Sequence, residues 1–175
     1  MKGITSKLTL TLAALAFSGA AASAQTLTSV ATVSVSATVT ASLAATNGGN
    51  LNFPAVIQGG SGSTILASAS GAGKVNIVGA NNQGITITAT TLPSTLAGPS
   101  ASTIGIGTYG YCYSQNNTNS ACSPTAILSG GSITGGALSG TGNGYLWIGA
   151  SLAAPATNQT VGSYSANMTI TVTAP

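Results

Sequence analysis

The sequence predicts an all-β chain folded as a β-sandwich, with a small closed barrel as the alternative. Apolar residues recur at every second position in several runs, the period of a strand with one buried face. Clusters of Gly, Asn, Ser and Pro separate these runs as turns would. Beyond residue 24 no segment carries the 3.6-residue period of an amphipathic helix. Roughly eight or nine short strands in about 150 residues fit two packed sheets. The absence of a fixed-period repeat argues against a solenoid.

Residues 1–24 read as an export leader. Lys2 and Lys7 give a basic start, 8–17 is mostly apolar, and Ala22-Ser23-Ala24 is a small-residue cleavage site. The apolar stretch is too short to cross a bilayer as a helix. The expected mature chain begins at Gln25, after cleavage at Ala24, and has no transmembrane segment.

The run 27–43 follows. From Ala31 to Leu43 every odd position is apolar and every even one is Ser or Thr. Strands usually run about 5–6 residues, so this alternation is too long for one ordinary strand. Either one strand spans the whole molecule, or two strand functions are written end to end.

Residues 46–50 (T-N-G-G-N) form a turn cluster. A short strand is expected at 51–57, at a sheet edge or bulge because Pro54 lacks a ladder N–H. A weak strand at 63–69 comes next. Stronger strands at 74–78 and 84–90 flank 79–83 (G-A-N-N-Q), which reads as a hairpin connection. Pro93 and Pro99 make 92–100 a crossover loop. The stretch 104–113 is extended, and a polar loop leads from it to Cys122. Register is open across the Gly- and Ser-rich 127–144, whereas 145–152 (Y-L-W-I-G-A-S-L) is a compact apolar strand. In 164–174, Tyr164, Ala166, Met168, Ile170, Val172 and Ala174 share one face.

Composition excludes much chemistry. The chain has three Lys and no Arg, Asp, Glu or His. Outside the leader Lys74 is the only charged side chain. Nucleic-acid binding, which needs clustered cations to neutralise phosphates, is excluded. Paired-carboxylate hydrolysis and a Ser-His-Asp triad lack their members. Two cysteines cannot fill a four-ligand zinc site, and carboxylate-based calcium sites are ruled out. The expectation is a non-enzymatic protein with no catalytic residues, metal or cofactor. Near-zero charge also suits a protein that works within an assembly, because a soluble monomer normally keeps its net charge away from zero.

Cys112 and Cys122 bracket a polar loop, and in an exported chain such a pair is expected to form a disulfide. Tyr109, Tyr111 and Tyr113 lie two apart and share one strand face. Buried, they belong to the core; exposed, they are a candidate binding face that stacks on sugars or on a neighbouring subunit. Trp147 is expected in the core.

Three segments carry a family likeness. They are G-G-N-L-N-F-P-A-V-I-Q-G-G-S-G-S after the opening run, K-V-N-I-V-G-A-N-N-Q-G-I-T-I-T-A-T-T-L-P, and Y-L-W-I-G-A-S-L-A-A-P-A-T-N-Q-T-V-G-S-Y-S-A-N-M-T-I-T-V. Together they resemble a family of secreted bacterial domains of unknown function, similar to spore coat protein U domains and archaic chaperone–usher pilins. The resemblance implies an immunoglobulin-like sandwich lacking one strand, completed by an N-terminal segment of the next subunit. It divides the long run: 25–34 becomes an N-terminal extension and candidate donor strand, with Leu27, Ala31 and Val33 inserting. The domain then occupies 35–175. Implied partners are identical or related subunits, a periplasmic chaperone and an outer-membrane usher. The implied route runs through the periplasm to the cell surface or an extracellular fibre. The expected function is a structural subunit of a surface fibre (pilus or fimbria) or coat. The alternative is a surface adhesin or carbohydrate-binding module using the Tyr109, Tyr111 and Tyr113 face.

Overall fold

The computed structural model describes residues 34, 36–37, 42–120, 123–127, 132–133 and 136–175. The leader, Leu27, Ala31, Val33 and Cys122 lie outside the described residues, as does most of the run 27–43. Residues Val39–Pro175 form a compact unit, distinct from Met1–Thr38.

Among the described residues this unit has ten strands: β1 (Ala44–Gly49), β2 (Ser63–Ile65), β3 (Gly73–Val78), β4 (Thr86–Thr91), β5 (Thr95–Ala97), β6 (Thr103–Ser114), β7 (Thr125–Ile127), β8 (Ser132–Ile133), β9 (Asn143–Leu152) and β10 (Thr169–Thr173). A 3-10 turn at Pro99–Ala101 is the only helical element among the described residues, and no helix there is long and apolar enough to cross a membrane. Every pairing among the described strands is antiparallel. The first sheet has the order β1-β3-β9-β6-β5, with β2 also on β9 and β7 also on β6; the second is β10-β4-β8. The chain is therefore all-β, built of two curled antiparallel sheets, as a β-sandwich requires.

Period-two patterning explains how the sheets face each other. Along β9, Leu146, Ile148, Ala150 and Leu152 are buried. Their partners in register on β6 are Tyr113, Tyr111, Tyr109 and Ile106, so those side chains share the inner face. Ile87 and Ala89 of β4 and Ile133 of β8 join Ile77, Leu146 and Ile148 in one core. Ile170 and Val172 of β10 pack against it half-buried.

The strands expected at 74–78, 84–90, 104–113 and 145–152 correspond to β3, β4, β6 and β9. The connection between β3 and β4 is different from the expected hairpin. Both lateral edges of β3 are taken, by β1 and β9, so the chain passes through 79–85 into the other sheet. Asn82, at φ 56°, makes the bend, and Gly79 N–H donates to Gly142 O at 2.9 Å. β1 forms where a turn cluster was expected. Its six residues are all exposed, and the ladder to β3 holds them with an irregularity between Asn47 and Gly49. The strand expected at 51–57 is absent from the described structure, and only Thr169–Thr173 of 164–174 is strand, with Ser165 making a single bridge to Ala97. The crossover loop 92–100 contains β5 and the start of the 3-10 turn.

Candidate functional site

Between the first and last segments of the unit the sandwich is open. A cleft of about 1100 Å³ runs between a wall at 45–58 and a second wall leading into β10. Its floor carries Val75, Ile106, Tyr109, Ile148 and Leu152 from the first sheet. Leu51 and Phe53 face it from one wall, Met168 and Ile170 from the other.

Each wall is irregular for a local reason. Beyond β1 the first wall includes Pro54, which has no N–H to offer a ladder. That wall is tied down by Asn52 N–H donating to Gly71 O at 3.2 Å. On the second wall β10 pairs with β4 through one edge, and among the described strands nothing pairs with its other edge. A strand edge that no described strand pairs with can offer main-chain donors and acceptors beside the apolar floor.

The walls run in opposite directions. The first starts near Ala45, opposite Ile77, at the end of the sheet marked by Asn143. It finishes where Gly59 N–H donates to Pro155 O at 3.1 Å, close to the end marked by Leu152. β10 runs the other way, from Thr169 beside Thr91 to Thr173 beside Thr86. Near Leu152 the mouth is fastened by side chains. Gln58 Nε2 donates to Gln159 O, and Gln159 Nε2 donates to Tyr164 Oη at 2.7 Å and Thr103 O at 3.2 Å.

The tyrosine stripe lies on the inner face. Tyr109 is 7% exposed, and its hydroxyl donates to Pro93 O at 2.7 Å. Burial pushes its pKa up to about 12, and donation to a carbonyl favours the same neutral form. Tyr113 is half-buried, donates to Ala137 O at 3.2 Å and is also raised by burial. Tyr111 is half-buried against the same core. Of the three, Tyr109 lines the cleft.

Trp147, expected in the core, is half-buried on the opposite face, because its neighbours Leu146 and Ile148 take the inward positions. There it meets the one cation of the unit. Lys74 Nζ sits 5.1 Å from the Trp147 ring centre and 6.0 Å from that of Tyr145, and donates to Asn117 Oδ1 at 3.1 Å. Asn119 Nδ2 donates to Ala67 O and Ala69 O, both at 3.0 Å, so residues 115–120 fold back across this face. Trp147 Nε1 and Asn76 Oδ1 are buried there without a hydrogen-bond partner among the described residues. Cys112, opposite Trp147 in register, is half-buried and is not a free thiol; its expected partner Cys122 lies outside the described residues.

The cleft was not among the sequence-derived sites. Its lining is gathered from separate segments between Ala45 and Ile170, which no local pattern joins. The nearest signals were Pro54 and the half-apolar alternation around Met168 and Ile170. No family model, curated protein or solved structure matches this chain.

Proposed function

We propose that this chain is a non-enzymatic structural subunit of a bacterial surface fibre or coat, assembled by β-strand addition. Residues 26–34 of one copy lie in the cleft of the next, with Leu27, Ala31 and Val33 turned to its floor. The observation that carries the reading is the apolar cleft beside the edge of β10 that pairs with no other described strand. An added strand takes main-chain hydrogen bonds from that edge while alternate side chains enter the floor. Burial of a Leu or Val side chain contributes about 1.5–3 kcal/mol, and no charge on the inserting segment opposes it.

Several sequence-derived features fit this role. The leader at 1–24 delivers the chain through the periplasm to the cell surface. A chaperone holding the cleft before assembly, and an usher at the outer membrane, are the partners such a subunit needs. A Cys112–Cys122 bridge would stabilise the subunit by about 2–3 kcal/mol. The alternative, an adhesin or carbohydrate-binding module using Tyr109, Tyr111 and Tyr113, is weaker because those rings pack against the core. The test is deletion of 25–34, followed by electron microscopy and sedimentation of the secreted protein. Loss of polymers is expected, and polymers of unchanged length would refute strand addition.

A further inference from the structure

The outer face of the first sheet gathers chemistry that the strand-addition reading does not use. Lys74 and Asn76 of β3 stand opposite Trp147 and Tyr145 of β9 in register, and all four are half-buried. The Lys74 ammonium lies within cation–π range of both rings, 5.1 Å from Trp147 and 6.0 Å from Tyr145. Gly48 of β1 leaves room for it: a Cβ there would come within 2.6 Å of both Lys74 Cε and Asn76 Oδ1. Of the three ammonium N–H donors, one goes to Asn117 Oδ1. No side chain of the sequence is acidic, so no carboxylate of a neighbouring residue competes for Lys74. On the same face Trp147 Nε1 is a buried donor and Asn76 Oδ1 a buried acceptor, neither with a partner among the described residues. Buried polar groups are nearly always paired. An orphan donor beside an orphan acceptor matches hydroxyl groups, which both accept and donate.

We propose that this face binds an acidic saccharide, a sugar chain built of uronic acids. The inference does not rest on strand addition, and its site is separate from the Tyr109, Tyr111 and Tyr113 stripe on the inner face. A uronate carboxylate pairs with Lys74, whose charge the two rings and Asn117 hold in place. Tyr145 and Trp147 supply apolar planes against which the C–H face of a pyranose ring packs. Hydroxyls of the same sugar accept from Trp147 Nε1 and donate to Asn76 Oδ1 once 115–120 lifts. That segment is fastened by side-chain amides, Asn117 to Lys74 and Asn119 to Ala67 O and Ala69 O, so lifting it breaks no strand ladder. The same features select among anions. Phosphate and sulfate call for several cations or a nest of backbone N–H groups. A single ammonium is a point charge suited to one carboxylate.

The experiment uses the full chain, secreted from its complete precursor, and tetragalacturonate as the probe. Trp147 is the only tryptophan of the sequence, so its fluorescence reports the site directly. Titration should give a saturable change, and the fully methyl-esterified tetramer should bind about tenfold more weakly or worse, having lost its charges. Lys74→Met should weaken binding of the acid by a similar factor, and Lys74→Arg, which restores the charge, should recover most of it. Trp147→Phe, followed by calorimetry because the fluorophore is gone, should weaken binding about fivefold through loss of one hydrogen bond. Thermal midpoints of the variants show whether each is folded when it is titrated. No saturable change with wild type, equal affinity for acid and ester, or a folded Lys74→Met variant that binds like wild type would each overturn the proposal.

Discussion

Tyr109→Phe tests the packing of the cleft floor through its response to alkali. In the folded protein burial holds the Tyr109 phenol neutral up to about pH 12, whereas in the unfolded chain it ionises near 10. Between these values the folded state keeps a proton that the unfolded state has lost. Stability from this group is therefore fully present below about pH 10 and falls as pH rises toward 12. The whole displacement is worth about 2–3 kcal/mol. Near neutrality the variant should be less stable by about 1 kcal/mol, having lost the hydroxyl's bond to Pro93 O. The two stability curves should then converge and cross in alkali. Guanidinium unfolding at intervals from about pH 8 to 12, followed by Trp147 fluorescence, measures both. Tyr113, also raised by burial, is common to both proteins and cancels in the difference. Parallel curves would refute the placement of the Tyr109 hydroxyl.

Gly149→Ala should cost more than about 2 kcal/mol in guanidinium unfolding, since a Cβ there would overlap Ile65 O and Ala67 N, backbone atoms that cannot swing away. Lys74→Met should cost less than about 1 kcal/mol, as expected for a partly exposed cation over aromatic rings. Its clearer effect should be faster proteolysis within 115–120, which loses the tether at Asn117. Reduction with dithiothreitol should lower stability by about 2–3 kcal/mol if Cys112 is bridged to Cys122, and an unchanged thermal midpoint would rule that bridge out.

The central strands of the first sheet were legible because their residues carry a local signal. In β9, Leu146, Ile148, Ala150 and Leu152 alternate without interruption, and each is buried. β6 announces itself through Ile104, Ile106 and the tyrosines. Where the structure departs from the sequence-based expectation, the deciding information is not local. The segment 79–83 has the composition of a hairpin turn, yet what leaves it is set by which edges of β3 are already occupied. β1 contains Asn47, Gly48 and Gly49, poor strand formers recruited by a neighbour's backbone, an override of propensity by tertiary context. Trp147 was expected in the core, although its parity relative to Leu146 and Ile148 places it on the other face of the sheet. The cleft had no signal of its own, because it exists only once the first and last walls are set facing each other.

The pairing of β10 with β4 has a consequence for the order of events in the life of the chain. Thr90 and Thr171, whose hydroxyls meet at 2.7 Å, are 81 residues apart in sequence, and β8, the other neighbour of β4, is also remote. None of the second sheet's described strands are consecutive in the chain, so no short hairpin between them can nucleate it. Its closure waits until Thr173 has emerged, and the entropy of a long loop must be met before any contact rewards it. Folding should be slow, on the millisecond-to-second scale of other non-locally paired β domains. Until β10 joins β4, the second sheet leaves Ile87 and Ala89, both buried in the finished core, without the Ile170 and Val172 side chains that pack beside them.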